Sequence, residues 1–209
     1  MSHTPMADKG VVYLVDDEAI VRDALVFLLG SRGLVVHGFD SGPALLAFLA
    51  RASQPVNGVF VLDVRMDPMS GLMLHEELLA RGVRNPVLFL SGHGDIPMVV
   101  EALKKGAFDF LEKPYSDNTL VDRIEQALAV ERASRTQNAQ AQERQARLAS
   151  LSEREHEVMQ RVAAGKLNKV IADELHIAVR TVEVHRARVF SKLGVRSAAE
   201  LAGWLSSGG

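Results

Sequence analysis

Short apolar runs that end in a carboxylate recur through the first half of the chain, and this recurrence restricts the fold more than any other feature. Val11-Val12-Tyr13-Leu14-Val15 runs into Asp16-Asp17-Glu18, Val59-Phe60-Val61-Leu62 into Asp63, and Phe108-Asp109-Phe110-Leu111 into Glu112-Lys113-Pro114. The expected strands are Val11–Val15, Leu34–Phe39, Val59–Leu62, Val87–Leu90 and Phe108–Leu111. The first, third and fourth are near-continuous apolar runs, as expected of parallel strands buried on both faces. Helix-length amphipathic segments separate them. Ala19–Ser31 places Ile20, Ala24, Phe27 and Leu28 on one face, and Ser41 suits the N-cap of a helix carrying Ala44, Leu45, Phe48 and Leu49. Met73–Leu79, Pro97–Lys105 and Asp117–Ala129 supply the rest, with Pro97 in a first helical turn. Strands alternating with helices predict an α/β fold, a doubly wound five-stranded parallel sheet with right-handed crossovers. In such a sheet the strand ends converge on one edge, where open α/β folds bind ligands.

The remainder differs in character. Residues 131–148 contain no large apolar residue before Leu148 and are rich in Ala, Gln, Arg and Glu, so a helical linker extending the last helix is expected, with a disordered stretch as the alternative. Residues 149–209 read as all helix: Ser152–Ala164, Asn168–Leu175, Val179–Leu193 and Ser197–Leu205. Ser152 followed by Glu155 is a capping-box pattern, and the short turn Leu175–Ala178 suggests a helix-turn-helix. Met1–Gly10 lacks an apolar core and reads as a frayed tail rather than a signal peptide. The expected division is therefore 1–10, 11–130, 131–148 and 149–209.

Composition excludes several classes. The chain has no cysteine, which rules out disulfides and thiolate zinc sites and suits a reducing, cytoplasmic compartment. No apolar stretch is long enough to span a membrane, so no membrane partner is expected. The net charge of −2 is unevenly spread: residues 1–130 carry 11 Lys/Arg against 17 Asp/Glu, and residues 149–209 carry 9 against 7. Such asymmetry hints at different partners for the two parts.

Acids gathered at a strand edge repel one another unless a cation is present. Oxygen ligands suit a hard ion, and Mg²⁺ takes few protein ligands while keeping waters. Asp17 and Asp63 are the candidate side-chain ligands, Asp16 stands in or next to the coordination shell, and the Arg65 carbonyl is a further oxygen. Asp63 is also placed to attack phosphorus as a carboxylate nucleophile. Lys113 would neutralise the developing oxyanion charge, and Ser91 would donate a hydrogen bond to the new phosphoryl group. Any one of these acids alone reads equally well as a turn or cap residue. Their joint position at the carboxyl ends of the strands favours a site.

Residues 11–130 resemble the receiver domain of response regulators. The matching pieces are Asp16-Asp17-Glu18, Asp63-Val64-Arg65-Met66, Met69-Ser70-Gly71, Ser91-Gly92-His93-Gly94-Asp95 and Lys113-Pro114-Tyr115. The resemblance implies Mg²⁺-dependent phosphotransfer from a sensor histidine kinase to Asp63, with Ser91 moving toward the phosphoryl group and Phe110 rotating inward. It also implies a Lys113-Pro114 bond that is often cis. Met66-Asp67-Pro68-Met69 departs from the family pattern by moving the proline one residue along and adding an acid, Asp67, which is expected to face water.

Leu151-Ser152-Glu153-Arg154-Glu155, Asn168-Lys169-Val170-Ile171-Ala172, Arg180-Thr181-Val182-Glu183-Val184-His185-Arg186 and Lys192-Leu193-Gly194-Val195-Arg196-Ser197 resemble the LuxR/NarL-type DNA-binding domain. Taken with the Gly-His-Gly-Asp segment, the likeness is greatest to the FixJ subfamily. In Val179–Leu193, Val182, Val189 and Leu193 are expected in the core. The opposite face would enter the major groove of double-stranded promoter DNA. Thr181, Glu183, Val184 and Ala187 stand at the base-facing end. Lys169, Arg180, Arg186, Arg188 and Lys192 are candidate phosphate contacts. His185 is expected to pack or face phosphate, His93 to be solvated, and Trp204 to be core.

The whole then reads as a phosphorylation-controlled transcription regulator. It would dimerise on phosphorylation, meet RNA polymerase at the promoter, and perform no catalysis beyond its own phosphotransfer and dephosphorylation. Two rivals share parts of this pattern. A phosphatase using an aspartyl phosphate would use the same pocket, and turnover of a phosphorylated small molecule would reveal it. A DNA-binding regulator with an unphosphorylated receiver is the other, kept open by the displaced Pro68.

Overall fold

Each strand ends where its sequence turns polar, and the ends align. In the computed structural model, which describes residues 10–52, 55–92 and 96–206, the strands are β1 (Val11–Val15), β2 (Val35–Phe39), β3 (Val59–Asp63), β4 (Val87–Ser91) and β5 (Asp109–Glu112). All four pairings are parallel and the order is β2-β1-β3-β4-β5. The order reverses between β1 and β3, the position where a doubly wound sheet leaves a crevice at its carboxyl edge. β3 and β4 are buried along their whole length, whereas edge strand β2 is largely exposed.

The strand limits differ slightly from those expected, with consequences for the site. Asp63 and Ser91 are the last residues of β3 and β4 rather than the first residues beyond them. Their backbones are therefore fixed within the sheet, Asp63 paired with Leu90 and Ser91 with Glu112. Leu34 falls in the turn before β2, where its N–H bonds the Leu29 carbonyl.

The helices around the sheet are α1 (Ala19–Ser31), α2 (Gly42–Arg51), α3 (Gly71–Ala80), α4 (Ile96–Lys104) and α5 (Asp117–Ala149). The expected inner face of α1 is wrong. Ile20 and Phe27 are 85% and 80% exposed, while Leu25 and Leu29 are buried. Two apolar stripes run along this helix, Ile20–Ala24–Phe27 and Val21–Leu25–Leu28–Leu29. The backbone leaving β1 sets which one meets the sheet. Ser41 does precede α2, but its hydroxyl donates to Asp40 instead of capping. α5 is 33 residues long and unbroken, so residues 131–148 are helical and share one helix with the segment before them.

Two apolar layers flank the sheet. Val12, Leu14, Leu29, Val61, Leu88, Leu120, Ile124 and Leu128 pack on one face. Phe60, Leu62, Leu45, Leu74, Leu78 and Phe89 pack on the other. At about 1.5–3 kcal/mol per buried large side chain, these layers are what holds the strand ends in register.

The chain divides into two compact units, Met1–Ser134 and Arg135–Gly209. In the second, α6 (Glu153–Ala163), α7 (Asn168–Leu175), α8 (Val179–Leu193) and α9 (Ala198–Ser206) enclose Val158, Val162, Ile171, Val182, Val189, Leu193 and Leu201. Ser152 caps α6 in a complete capping box with Glu155. His176, in the left-handed region at φ 53°, turns the chain between α7 and α8, and Gly194 at φ 73° ends α8. Trp204 packs against this core half-buried, under the Arg144 guanidinium at 4.1 Å. Met1–Lys9 and His93, on which expectations were placed, lie outside the described residues.

Gly71 opens α3 so close to β3 that a Cβ there would stand 2.1 Å from the Asp63 carbonyl oxygen. Gly71→Ala should therefore push on the strand carrying Asp63. The expected loss is about 1–3 kcal/mol, as for other overpacked core positions, read as a lower denaturant midpoint with unchanged slope.

Candidate functional site

The carboxyl edge of β1, β3 and β5 gathers the first set of predicted residues. Lys113, just past β5, places Nζ 2.5 Å from Asp63 Oδ1 and 3.9 Å from Asp16 Oδ2. Asp63 Oδ2 accepts the Arg65 N–H at 2.8 Å, and Asp16 Oδ1 accepts the Glu18 N–H at 2.9 Å. Asp17 is exposed beside them and accepts the Asp67 N–H at 3.3 Å. The inserted acid is therefore tied to the pocket through its backbone. Asp17, Arg65, Met66, Asp67, Ser70 and Met98 line an open depression of about 350 Å³ on this edge. The Asp67–Pro68 and Lys113–Pro114 bonds are both cis.

Ser91 is fully buried at the end of β4, and its hydroxyl donates to the Leu111 carbonyl at 3.4 Å. Phe110, on the neighbouring strand, is half-buried against the layer containing Phe89 and Val99.

The electrostatics of this edge are unresolved from within. Asp16 is 1% exposed and its Oδ2 accepts no hydrogen bond; an ammonium at 3.9 Å is too distant to donate one. Burial pushes its carboxyl above the ordinary range, with the Asp63 charge adding to the rise, against the Glu18 amide and Lys113. Burial pulls the Lys113 ammonium down, but its bond to Asp63 and the two carboxylate charges outweigh that and raise it. Three carboxylates against one ammonium leave two negative charges, which a divalent cation would balance. The orphaned Asp16 oxygen and the all-oxygen donor set fit Mg²⁺. Among the described residues no three acidic or His side chains close on one point. An ion held by the two expected side-chain ligands, Asp17 and Asp63, would be completed by the Arg65 carbonyl and water.

The second set of residues lies on α7 and α8. Val182, Val189 and Leu193 face the core, as their spacing requires. Arg180, Glu183, Val184, Ala187 and Arg188 are exposed, and their i, i+4 spacings place them on a common outward side; Thr181 is half-buried at its edge. Lys169 is exposed on α7. Among the described residues no carboxylate pairs with Lys169, Arg180 or Arg188.

Two expected phosphate contacts are otherwise engaged. Lys192 Nζ donates to the buried Glu155 carboxylate at 2.6 Å and to the Ser150 carbonyl at 2.8 Å. The Lys192 bond, followed by the Ser152 amide, holds the Glu155 carboxyl below its usual range. Arg186 donates to the Asn168 side chain at 2.5 Å and lies over Phe190. Both bonds cross between elements distant in sequence, so no local pattern announced them. His185 is half-buried with an unpartnered Nδ1.

Residues 12–125 match the family described as response regulator receiver domain, and residues 149–205 match bacterial regulatory proteins of the luxR family. The chain is a response regulator with a LuxR-type output domain. It is 44% identical to the transcriptional regulatory protein FixJ of Bradyrhizobium diazoefficiens, covering 94% of each chain. It is 50% identical to the C4-dicarboxylate transport transcriptional regulatory protein DctR of Rhodobacter capsulatus, over 91% of this chain and 96% of that one. The solved structure of the response regulator StyR matches with a TM-score of 0.88 at 41% identity, covering 94% of this chain and 98% of the other. The likeness to FixJ regulators read from the motifs thus extends over the whole response regulator, and its function is transcription regulation.

Two outcomes follow from the electrostatics. Because Asp16 has a raised folded pKa, the folded response regulator holds its proton to higher pH than the unfolded chain does. Stability is then lost as pH rises from the ordinary carboxylate range through that folded value. Asp16→Asn should raise the denaturant midpoint of chelator-treated protein at neutral pH, with the difference shrinking toward acid. Mg²⁺ at ten times its dissociation constant should add about 1.4 kcal/mol to the wild type and much less to the variant. Lys192→Met should lower stability by about 1–3 kcal/mol, since it leaves the buried Glu155 carboxylate short of a donor.

Proposed function

We propose that Asp63 accepts a phosphoryl group from a sensor histidine kinase and that this charge controls promoter binding by the helix-turn-helix. The observation carrying the reading is the Asp63–Lys113 contact at the end of a fully buried strand. The Arg65 amide fixes one Asp63 oxygen, so the carboxylate is aimed before any donor arrives. In the transfer, an Asp63 oxygen forms a bond to phosphorus while the phosphorus–nitrogen bond to the kinase imidazole breaks, and the imidazole leaves as the neutral ring after taking a proton. The Lys113 ammonium passes from the carboxylate to a phosphoryl oxygen, following the negative charge. Mg²⁺, held by Asp17, Asp63 and the Arg65 carbonyl with Asp16 beside it, would supply Lewis-acid charge neutralisation. The Ser91 hydroxyl, now spent on a long bond to Leu111, is free to exchange it for a phosphoryl oxygen. Phe110 then moves inward, since it is only half-buried in the present state.

Phosphorylation would favour pairing of two receivers, and two output units would then grip adjacent half-sites of double-stranded promoter DNA, where RNA polymerase is recruited or blocked. Lys169, Arg180 and Arg188 supply phosphate contacts, with Arg186 a lesser one. Glu183, Val184, Ala187 and Thr181 face the bases. The protein works in the cytoplasm and turns over no small substrate. No helix among the described residues is long and apolar enough to cross a membrane, which accords with that reading.

Asp63→Asn should abolish labelling by a small phosphodonor such as acetyl phosphate while leaving the far-ultraviolet circular dichroism unchanged; labelling retained at another residue would move the site. For DNA, Lys169→Ala should weaken binding to all sequences alike and reduce the salt slope by about one. Glu183→Ala should instead relax preference at one base pair by about 1–3 kcal/mol, read in a competition against operator variants.

A further inference from the structure

Away from the acid edge, a cavity of about 280 Å³ opens between α3, the turn before β4 and the end of α4. Its floor is apolar, with Leu78 1% and Val87 3% exposed and Val83 half-buried. Two neutral polar side chains lie in that wall, Asn85, whose amide donates to the Val56 and Gly58 carbonyls at 3.0 and 2.9 Å, and His75. His75 is 2% exposed, stands edge-on to Phe89 at 5.6 Å, and makes no hydrogen bond among the described residues. Burial lowers its basicity, so the ring is neutral at physiological pH and offers one donor and one acceptor. Its ring nitrogens are not sealed off by protein, so they stay accessible to a bound polar group.

The rim carries the opposite character. Lys105 is paired with Glu76 and is largely neutralised. Arg84 is exposed, and among the described residues its one bond is to the Leu79 carbonyl at 2.9 Å and no carboxylate pairs with it. Its remaining donors form a fork suited to a carboxylate. An apolar floor with His75 and Asn85 in its wall and a guanidinium with spare donors at the mouth favours an amphiphile over a phosphate, which could not use the floor.

We propose that this cavity binds a small aromatic carboxylate bearing a second polar substituent, with its ring over Leu78, Val83 and Val87, its carboxylate on Arg84 and its substituent on His75. The site has no part in phosphotransfer. A ligand of about ten heavy atoms in so small a cavity should bind in the millimolar range.

The test is a titration of full-length, isotope-labelled protein followed by backbone amide shifts, using 4-hydroxybenzoate, benzoate and 4-hydroxybenzyl alcohol. Saturable shifts at Leu78, Val83 and Gly106 are expected, with affinity falling in that order of probes. Arg84→Gln should weaken both carboxylates by about ten- to a hundredfold and leave the alcohol unchanged, since it removes a charge-assisted contact. His75→Leu should weaken the hydroxylated acid more than benzoate. Both variants should accept label from a phosphodonor as the wild type does. Absence of saturable shifts with every probe would overturn the proposal, as would equal affinity for acid and alcohol. So would a gain of stability in His75→Leu without any probe bound, which would mark a buried histidine that is merely hydrated. Arg84 is exposed, so its variant decides the matter even where the His75 variant fails to fold.

Discussion

A buried carboxylate with one oxygen that no donor among the described residues reaches is the constraint on which the receiver depends. Asp16 Oδ2 sits at the end of β1 with no donor, beside an Asp63 whose own oxygens are already taken by Lys113 and the Arg65 amide. Such a group costs free energy in the resting state and lowers it when positive charge arrives. The sheet makes this tolerable. Apolar layers on both faces hold β1 and β3 in register, so the acids cannot relax apart. Stability drawn from the core is thereby converted into a charge deficit at one edge.

Position along the strand decides how this deficit reaches the rest of the domain. Asp63 and Ser91 belong to the ladder itself, and the Lys113 amide bonds the Ser91 carbonyl at 2.8 Å. Under the proposed phosphorylation, charge added at Asp63 and a hydrogen bond shifted at Ser91 would therefore act on the same three strand ends. Gly71 packs against the Asp63 carbonyl from the other side, so the turn into α3 is part of the same rigid frame.

Most of this was legible because period and punctuation agreed. Continuous apolar runs of strand length, rich in Val and bounded by polar turns, suit doubly buried strands, and acids directly after them fall on one edge of a parallel sheet. The core of α8 was readable for the same reason: Val182, Val189 and Leu193 repeat at helical spacing with polar residues between. Where two stripes compete, spacing alone cannot choose. In α1 the expected face of Ile20, Ala24, Phe27 and Leu28 and the stripe Val21–Leu25–Leu28–Leu29 both fit a helix, and only the packing onto the sheet buries Leu25 and Leu29. Long-range polar bonds were equally invisible. Lys192 lies 37 residues from Glu155, and an exposed lysine at the end of a recognition helix looks the same whether or not a buried acid claims it.

That claim has a consequence for how the output unit meets its target. Arg154, Arg161, Lys166 and Lys192 are each paired with a carboxylate of the unit, and Arg186 is held by Asn168. A cation already paired gains little by moving to a phosphate, because it exchanges one anion for another. Among the described residues Lys169, Arg180 and Arg188 have no such partner, so in the proposed DNA complex counterion release would fall largely to them. The two units thus use unsatisfied charge in opposite ways. The receiver gathers its negative excess at the carboxyl edge of the sheet, with Asp16 and Asp63 buried and Asp17 exposed beside them. The output unit leaves its positive excess exposed on α7 and α8.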